Sequence, residues 1–350
     1  MPTFTPHQLT ETVTSIFSAA GTPPAKARTV AELLIDANLT GHDSHGVIRV
    51  PQYLDSMTKG EIDPNADVEV LREGSATALL DGHWDFGQVT MTRAVEVVLE
   101  KARAHGLGAV AVRGANHIGR LGSYVDNLAR HDMIGLLYVN AVGIPAYRMA
   151  PWGGTESRLA TDPLAKGIPT SSGEPIVIDM TTTVVAEGKV RLKRNRGEAA
   201  PDGWLLDASG TPTNDPRVLY DEPRGSIQPL GGVTAGHKGY GLNVAIELLA
   251  GALTGNGCIG REGSQLSNGV LLLALGITEF GSREEFHAEA DRFISFVKSS
   301  PPAAGFDAVL MPGEIEAATR RQRREEGIFV EAETWRQIVA LGTELGLDLT

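Results

Sequence analysis

The segment from His42 to Tyr53 (HDSHGVIRVPQY) concentrates side chains that can do chemistry. Within it His45, Arg49 and Tyr53 are spaced four residues apart, so on a helix they would share one face. The guanidinium of Arg49 can hold a carboxylate through two parallel hydrogen bonds. The imidazole of His45 can give a proton to a neighbouring carbonyl oxygen and take it back. We therefore expect a 2-oxo acid site in which Arg49 and Tyr53 bind the substrate, provided that Pro51 lies near the first turn of the helix.

A second cluster, Asn116 and His117, lies in the segment RGANHIGRLGSY. It follows a predicted strand and precedes a predicted helix, and ligands often bind at strand ends in α/β sheets. His117 is therefore a second candidate acid, base or substrate ligand. A surface or structural role for any one of these residues stays open when it is considered alone.

Zinc is the main alternative outside redox chemistry, since His42, Asp43, His45 and His117 could supply nitrogen and oxygen ligands. The spacing lacks the glutamate of H-E-x-x-H. We expect no metal site, and a zinc-dependent hydrolase is kept as a remote alternative. A binding protein without activity is disfavoured because both histidines and Arg49 are present.

The obvious nucleotide motifs fail in this sequence. Gly255, Gly257 and Gly260 match G-x-G-x-x-G, but a predicted helix precedes them and a polar loop follows. The motif binds a pyrophosphate only where a strand leads into a helix. A dinucleotide site here must therefore lack the usual Rossmann fingerprint.

Charge and composition limit the partners. The 350 residues carry a formal net charge of −12, which argues against nucleic acid or an anionic membrane as partner. Cys258 is the one cysteine, so no internal disulfide can form, and a reducing, cytoplasmic location is expected. No secretory signal is visible, and the most apolar stretch is too short to span a bilayer. Two basic runs, Lys189 to Arg196 and Arg320 to Arg324, are most simply solvated helix faces, although one of them could meet a cofactor phosphate.

Three segments are predicted along the chain. Residues 1–75 form a helical unit, whose first helix has a capping box at Thr5 and Gln8 and whose second helix begins at Thr22–Pro23 and ends before Gly41. Residues 76–310 alternate strands and helices and form the sheet domain, with 197–232 as a long excursion outside the core. Residues 311–350 form two helices that pack on the helical unit. The sheet-domain elements are strands 68–71, 76–80, 109–112, 134–139, 176–180 and 270–275 and helices 88–105, 121–130, 240–254 and 283–297.

Six motifs occur in the same order over most of the chain, and together they resemble the type-2 malate/L-lactate dehydrogenase family. That family includes malate, ureidoglycolate and sulfolactate dehydrogenases, 2,3-diketogulonate reductase and reductases of cyclic imino acids. The motifs are DSHGVIRVPQY, NHIGRLGSY, ATDPLAKGIP, VIDMTTTVVAEGKV, PLGG with GHKGYGLNVAIELLAG, and MPGE.

The resemblance implies an α/β fold of the α+β kind. A non-Rossmann, largely antiparallel sheet domain would bind NAD or NADP beside a helical domain built from the N- and C-terminal segments. It also implies a homodimer and a small carboxylate substrate. The expected activity is hydride transfer between NAD(P)H and a 2-oxo or 2-hydroxy acid of the malate/lactate type, and the alternative is reduction of a cyclic imino acid such as piperideine- or pyrroline-2-carboxylate.

The resemblance also implies roles for individual residues. His45 matches the active-site histidine, Ser44 and Arg49 match residues that line the substrate pocket, and His117 matches a histidine that acts as acid or base in some members. The residues that match cofactor contacts are Asp179, Met180, Thr181, Thr182, Thr183, His237, Lys238, Pro312, Gly313 and Glu314. The chain departs from many members at Asp162, where they have asparagine, and at Thr183, where they have serine. The carboxylate of Asp162 would be unfavourable near a cofactor phosphate unless it faces elsewhere.

Overall fold

The computed structural model describes residues 2–143 and 146–349, which form ten α-helices and twelve strands within those ranges. The helices are α1 (Pro6–Ala19), α2 (Pro24–Leu39), α3 (Val50–Thr58), α4 (Gly87–His105), α5 (Gly122–Arg130), α6 (Glu187–Arg196), α7 (Gly232–Ile246), α8 (Arg283–Lys298), α9 (Glu314–Glu326) and α10 (Ala332–Glu344). The strands are β1 (Thr3–Phe4), β2 (Glu69–Glu73), β3 (Thr77–Asp81), β4 (Leu107–Ala115), β5 (Met133–Val142), β6 (Leu164–Ile168), β7 (Ile176–Met180), β8 (Leu205–Leu206), β9 (Pro212–Thr213), β10 (Ser226–Ile227), β11 (Ser267–Gly276) and β12 (Ile328–Phe329). None of the helices in the described ranges is long and apolar enough to cross a membrane.

The centre of the molecule is a seven-stranded sheet in the order β2-β3-β4-β11-β5-β6-β7. Every neighbouring pair is antiparallel except β3 and β4. The prediction of a largely antiparallel sheet in a mixed α/β fold is therefore confirmed. The strand β2 belongs to this sheet, so the sheet begins before the boundary predicted at residue 75.

Helices cover both faces of the sheet, because successive residues of a strand point to opposite faces and both faces carry apolar side chains. On β5, Leu137 points to the core shared with α4 and α5, and the next residue, Tyr138, packs with Ile246 and Ala250 on the other face. The predicted helix over 240–254 is longer at its start: α7 begins at Gly232 and continues from Glu247 to Ala252 as a π-helix. The rejected G-x-G-x-x-G segment follows that helix and precedes β11, as the sequence indicated.

The N- and C-terminal segments share a second core. Its buried residues come from the first two helices, from α3 and from the chain end around Ile328 and Ile338. The capping box at Thr5 and Gln8 is present at the start of α1. Thr22 does not cap α2, whose N-terminal residue Pro23 makes no capping bond. Ile338 of α10 is buried in this core beside residues of α1 and α2.

The segment 197–232 lies outside the main cores, as predicted, but it has a small core of its own. It contains the small antiparallel sheet β10-β8-β9. Its apolar side chains Leu205, Leu219 and Ile227 are buried together with Val190 of α6. The strands of this small sheet are only two residues long, too short to show an apolar alternation in the sequence. The high content of Gly, Pro, Asp and Ser around them was therefore interpreted as a loop.

Candidate active site

The site begins at the turn between α2 and α3. Two consecutive 3₁₀ turns, Asp43–His45 and Val47–Arg49, occupy the place where a single helical face was predicted for residues 45, 49 and 53. Only the last of these residues lies on α3, so the predicted common face is wrong. Pro51 is in the first turn of α3, where a missing N–H is harmless.

The side chain of Asn38 holds this turn in place, and it was not predicted. Its Oδ1 accepts from the Val47 N–H at 2.9 Å, and its Nδ2 donates to Asp43 Oδ1 at 2.6 Å. A Cβ at Gly46 would lie 2.2 Å from Asn38 Oδ1, so a larger residue would push this side chain away. The glycine in HDSHG is the signal that could have indicated such a close approach.

Arg49 lies across the turn with a fixed orientation. Its Nε donates to the backbone oxygen of Ser44 at 2.7 Å, and its Nη1 donates to Gln52 Oε1 at 2.6 Å. Within the described ranges no carboxylate forms an ion pair with Arg49. Burial is the main cause of a lowered pKa for this guanidinium. An unpaired cation in a half-buried position is suited to binding an anion.

His45 and His117 face each other although they come from distant segments. Their ring centroids are 5.5 Å apart and the planes meet at 19°. His45 Nδ1 lies 3.0 Å from Ser44 Oγ. The backbone of His117 passes close to the start of α4, where a Cβ at Gly87 would lie 2.3 Å from the oxygen of Asn116. The structure thus brings the two predicted clusters together.

Tyr53 lies behind His117. Its hydroxyl accepts from Gln88 Nε2 at 2.7 Å, and it forms a second hydrogen bond of 2.7 Å with His117 Nδ1. Burial raises the pKa of Tyr53 to about 12, so the phenol stays a donor. This buried hydroxyl is therefore held against His117, and the expected substrate-binding role of Tyr53 stays a prediction.

Both imidazoles are neutral near pH 7. Burial, followed by the charge of Arg49 and then those of His42 and Arg120, lowers the pKa of His45 to about 3. Burial and the charges of Arg49 and His45 hold the pKa of His117 well below its usual value. A neutral imidazole can accept a proton from a substrate hydroxyl.

A second group of charged side chains lies next to this pair, and the sequence did not identify it. Arg120 Nη1 is 3.5 Å from Asp36 Oδ2, and Arg320 Nη1 is 2.8 Å from Asp36 Oδ1. The Nε of Arg120 is buried and has no hydrogen-bond partner in the described part of the chain. Arg120 belongs to the quoted segment NHIGRLGSY and Arg320 to the second basic run, so the signals were present but ambiguous.

Asp179 and the Pro312–Glu314 segment border the same region. Asp179 Oδ2 accepts from the Gly122 N–H at 2.7 Å, and burial raises the pKa of this carboxyl. The oxygen of Pro312 accepts from Val177 N–H at 3.2 Å, and Gly313 begins α9 with a φ of 94°. A small cavity is lined by residues of these segments, including Arg120, Val177, Gly313 and Arg320. Glu314 is turned to Lys298, with 2.6 Å between Oε1 and Nζ.

The expected cofactor turn over 180–183 has little free polar surface. The hydroxyl of Thr182 donates to Thr161 O at 2.9 Å, and that of Thr183 donates to Val185 O at 2.8 Å. The hydroxyl of Thr181 donates to Thr183 O at 3.1 Å, and Met180 packs against the core of α7. The next helix, α6, begins at Glu187, so its N-terminus lies beyond this turn.

His237 and Lys238 are exposed on α7, whose start is tied to the same turn by a bond from Leu230 N–H to Thr182 O at 2.8 Å. The ring of His237 lies 5.9 Å from that of Trp152. In the described residues Lys238 makes no ion pair, so its ammonium is free to meet a ligand.

Asp162 faces away from these segments. Its Oδ1 accepts from the Ala141 N–H at 3.2 Å, and its buried carboxyl interacts with Glu247. Burial and the charge of Glu247 hold the pKa of Asp162 well above its usual range. The conflict expected between this carboxylate and a cofactor phosphate therefore does not arise.

A larger cavity of about 420 Å³ lies elsewhere, beside β4 and the loop before β11. It is lined by residues such as Trp84, Arg113, Asn256 and Arg261, and none of the predicted site residues borders it. Its size alone does not connect it to the chemistry of the histidine pair.

The side chains considered for zinc have separate partners. Residues 2–143 and 146–349 contain no group of three or more acidic, histidine or cysteine side chains placed to hold a metal ion. The contacts are His42 with Glu316 at 3.3 Å, Asp43 with Arg323 at 2.6 Å, His45 with Ser44 and His117 with Tyr53. This geometry does not favour a zinc-dependent hydrolase.

Comparisons with known proteins agree along the whole chain. The sequence profile described as malate/L-lactate dehydrogenase matches residues 4–339. Hydroxycarboxylate dehydrogenase B from Escherichia coli is 35% identical over 340 residues, with 96% of this chain and 92% of that protein covered. L-sulfolactate dehydrogenase from Methanothermobacter thermautotrophicus is 37% identical over 351 residues, with 98% and 97% covered.

A solved structure extends the comparison to three dimensions. It is the delta1-piperideine-2-carboxylate reductase from Pseudomonas syringae pvar. tomato, with a TM-score of 0.85 and 29% identity. The match covers 97% of this chain and 100% of that one.

Proposed function

This chain belongs to the malate/L-lactate dehydrogenase family and is an oxidoreductase of 2-hydroxy acids, and we propose that it works with NAD or NADP, with His45 handling the proton and Arg49 binding the substrate carboxylate. The observation that carries the proposal is the unpaired guanidinium of Arg49 beside two facing, neutral imidazoles.

The proton step follows from the state of His45. In the oxidation of a 2-hydroxy acid, the neutral ring accepts the hydroxyl proton while the C2 hydrogen leaves with its electron pair. In the reverse direction the same ring returns the proton to the carbonyl oxygen. A nicotinamide, when bound, accepts or supplies the hydride. Arg49 holds the carboxylate so that C2 and its oxygen lie at a fixed place beside His45.

We assign His117 a supporting role. With Tyr53 donating to its Nδ1, the ring would carry its proton on Nε2 and could donate a hydrogen bond to the substrate oxygen. Such a bond stabilises the negative charge that develops on that oxygen. His117 is the second candidate for the proton transfer itself.

The residues that fit the cofactor lie around Arg120. Its buried, unpartnered Nε and the neighbouring Arg320 can bind phosphate oxygens, with Asp179 and the 312–314 segment beside them. Lys238 offers a further cation. The basic run on α6 does not support a preference for NADP, because that helix lies against Ser44. The second basic run contributes Arg320, so it is the better candidate for a cofactor phosphate.

We also propose that two copies associate through α7 and its π-helical extension. Val244, Leu248, Leu249 and Leu253 are 36%, 56%, 36% and 64% exposed, and their spacing puts them on one side of this segment. An exposed apolar stripe of this kind is typical of a subunit interface. The expected cytoplasmic location rests on the cysteine content and stays a prediction.

Reduction of a cyclic imino acid is the second candidate activity, because one of the similar solved structures is a reductase of that class. Arg49 would hold the same carboxylate, and the C=N carbon would receive the hydride. A panel of 2-oxo acids and cyclic imino acids, each assayed with NADH and NADPH by nicotinamide absorbance, tests both activities. Turnover of 2-oxo acids supports the proposal. Turnover of imino acids alone would replace it, and activity that depends on stoichiometric zinc would overturn it.

A further inference from the structure

The first turn of α6 lies against the 3₁₀ turn that contains Ser44 and His45. A Cβ at Gly188 would be 3.5 Å from the Cβ of Ser44, so the helix backbone and the 3₁₀ turn are in van der Waals range. Val190 is buried in the small core with Leu205 and Leu219 and fixes the other side of the helix. The orientation of α6 is thus set by its packing.

Arg191 lies on the side of α6 that approaches the site. It follows Gly188 by three residues, which is about 60° around a helix of 3.6 residues per turn. Ser44 is in the same turn segment as Arg49, so the approach of Gly188 to Ser44 brings this side of α6 toward Arg49. In agreement with this, Arg191 lowers the pKa of Arg49, although burial is the main cause of that shift and Tyr53 opposes it.

Arg191 lacks the partners that its neighbours on α6 have. Lys193 pairs with Glu198 at 2.7 Å, Arg194 lies over the ring of Tyr220 at 4.2 Å, and Arg196 is 3.9 Å from Glu331. Within residues 2–143 and 146–349 the side chain of Arg191 forms no hydrogen bond or ion pair. Two unpaired cations near each other repel, and an anion between them removes the repulsion.

The acidic residue nearest in sequence does not neutralise Arg191. Glu187 lies one turn earlier on α6, but its Oε1 accepts a hydrogen bond from Tyr220 Oη at 2.7 Å. Its charge acts less on Arg49 than that of Arg191 does. Within the described ranges neither Arg49 nor Arg191 has a carboxylate partner, which favours a ligand with more than one negative group.

We propose that Arg191 binds the second anionic group of a dianionic 2-oxo acid whose first carboxylate is bound by Arg49. The second group is a carboxylate or a sulfonate, since both accept hydrogen bonds from a guanidinium. This inference rests on the proposed function and narrows its substrate class. A 2-oxo acid with a single charge leaves Arg191 in water, where it contributes little.

Steady-state reduction by the full chain tests the subsite, with oxaloacetate, 3-sulfopyruvate and pyruvate as substrates and the preferred reduced nicotinamide. Arg191→Gln should lower kcat/KM roughly tenfold for the dianions, mainly through KM, and by less than about twofold for pyruvate. Lys189→Gln is the matched control, because it removes the same charge from an exposed position about 160° around the helix from Arg191. It should leave all three values near those of the parent.

The outcomes distinguish a failure of the Arg191 subsite from a failure of the proposed 2-oxo acid reduction. A loss for oxaloacetate alone identifies a carboxylate subsite, and a loss for 3-sulfopyruvate alone identifies a sulfonate subsite. Equal effects of Arg191→Gln on pyruvate and both dianions, or no effect on any of them, would overturn the inference while the parent stays active. A parent that reduces none of these 2-oxo acids with either nicotinamide would contradict the proposed function itself.

Discussion

Replacing Arg49 with lysine tests substrate recognition, because it keeps the charge and removes the planar group. In the structure the Nε–Ser44 and Nη1–Gln52 bonds, at 2.7 and 2.6 Å, fix the plane of the guanidinium. A lysine ammonium is a point donor on a flexible chain and cannot keep both bonds while it holds a carboxylate. The substrate carbonyl would then lose its fixed position beside His45.

The expected size follows from the bonds that are lost. A hydrogen bond to a charged group contributes about 1.5–3 kcal/mol. If Arg49→Lys loses one such bond in the transition state, kcat/KM should fall about 10- to 150-fold. The affinity for reduced nicotinamide should be nearly unchanged, since the proposed phosphate ligands are Arg120 and Arg320.

The measurement is kcat/KM for the best 2-oxo acid, together with a fluorescence titration of the reduced cofactor. Arg28→Lys is a suitable control, because Arg28 pairs with Glu11 at 2.7 Å on the surface of the helical unit. If Arg49→Lys matches the parent in kcat/KM, Arg49 is a packing residue and the carboxylate is held elsewhere. If Arg49→Lys weakens only the binding of reduced nicotinamide and leaves kcat/KM unchanged, Arg49 does not bind the substrate carboxylate.

Three further predictions concern the proton, the cofactor and the interior. His45→Ala should lower turnover by roughly 10²–10⁴ with cofactor binding retained, and parent-like turnover would move the proton role to His117. Lys238→Ala should weaken binding of NAD(P)H by roughly 1.5–3 kcal/mol in the fluorescence titration, and an unchanged Kd would place the phosphates away from α7. Burial raises the pKa of Asp162, so the folded protein holds this carboxyl in its protonated form more tightly than the unfolded chain does. The free energy of unfolding therefore falls as the pH rises above the unfolded pKa of the carboxyl. Asp162→Asn should therefore gain thermal stability over the parent at about pH 9 and much less at about pH 5, and a pH-independent difference would refute this reasoning.

The elements that could be predicted are those set by local signals. The capping box of α1, the end of α4 at the left-handed Gly106 and strand β7 were found because caps, glycines and apolar runs act over a few residues. The arrangement of the sheet could not be obtained this way. Strand β11 lies between β4 and β5, and this pairing joins segments that are far apart in sequence.

In the candidate site, too, the residue types could be predicted from local motifs, but their arrangement could not. His45 and His117 were identified as residue types in short motifs, but their facing rings depend on how α4 and the 3₁₀ turns pack. The regular spacing of residues 45, 49 and 53 indicated a helix, and the bonds made by Asn38 produced two tight turns instead. Arg120, Asp36 and Arg320 come from three separate segments, so their cluster has no signature in the sequence.

The proposed carboxylate ligand Arg49 would also influence the proposed proton step at His45. Arg49 is the largest electrostatic cause, after burial, of the lowered pKa of His45. A carboxylate bound to Arg49 cancels part of that charge, so it raises the pKa of the ring from its value of about 3 in the free protein. Binding of a 2-oxo acid therefore favours protonation of His45, which is the state needed to give a proton to the carbonyl oxygen. A 2-hydroxy acid needs the neutral ring, which the free protein already has, so the same pair of residues can serve both directions of the reaction.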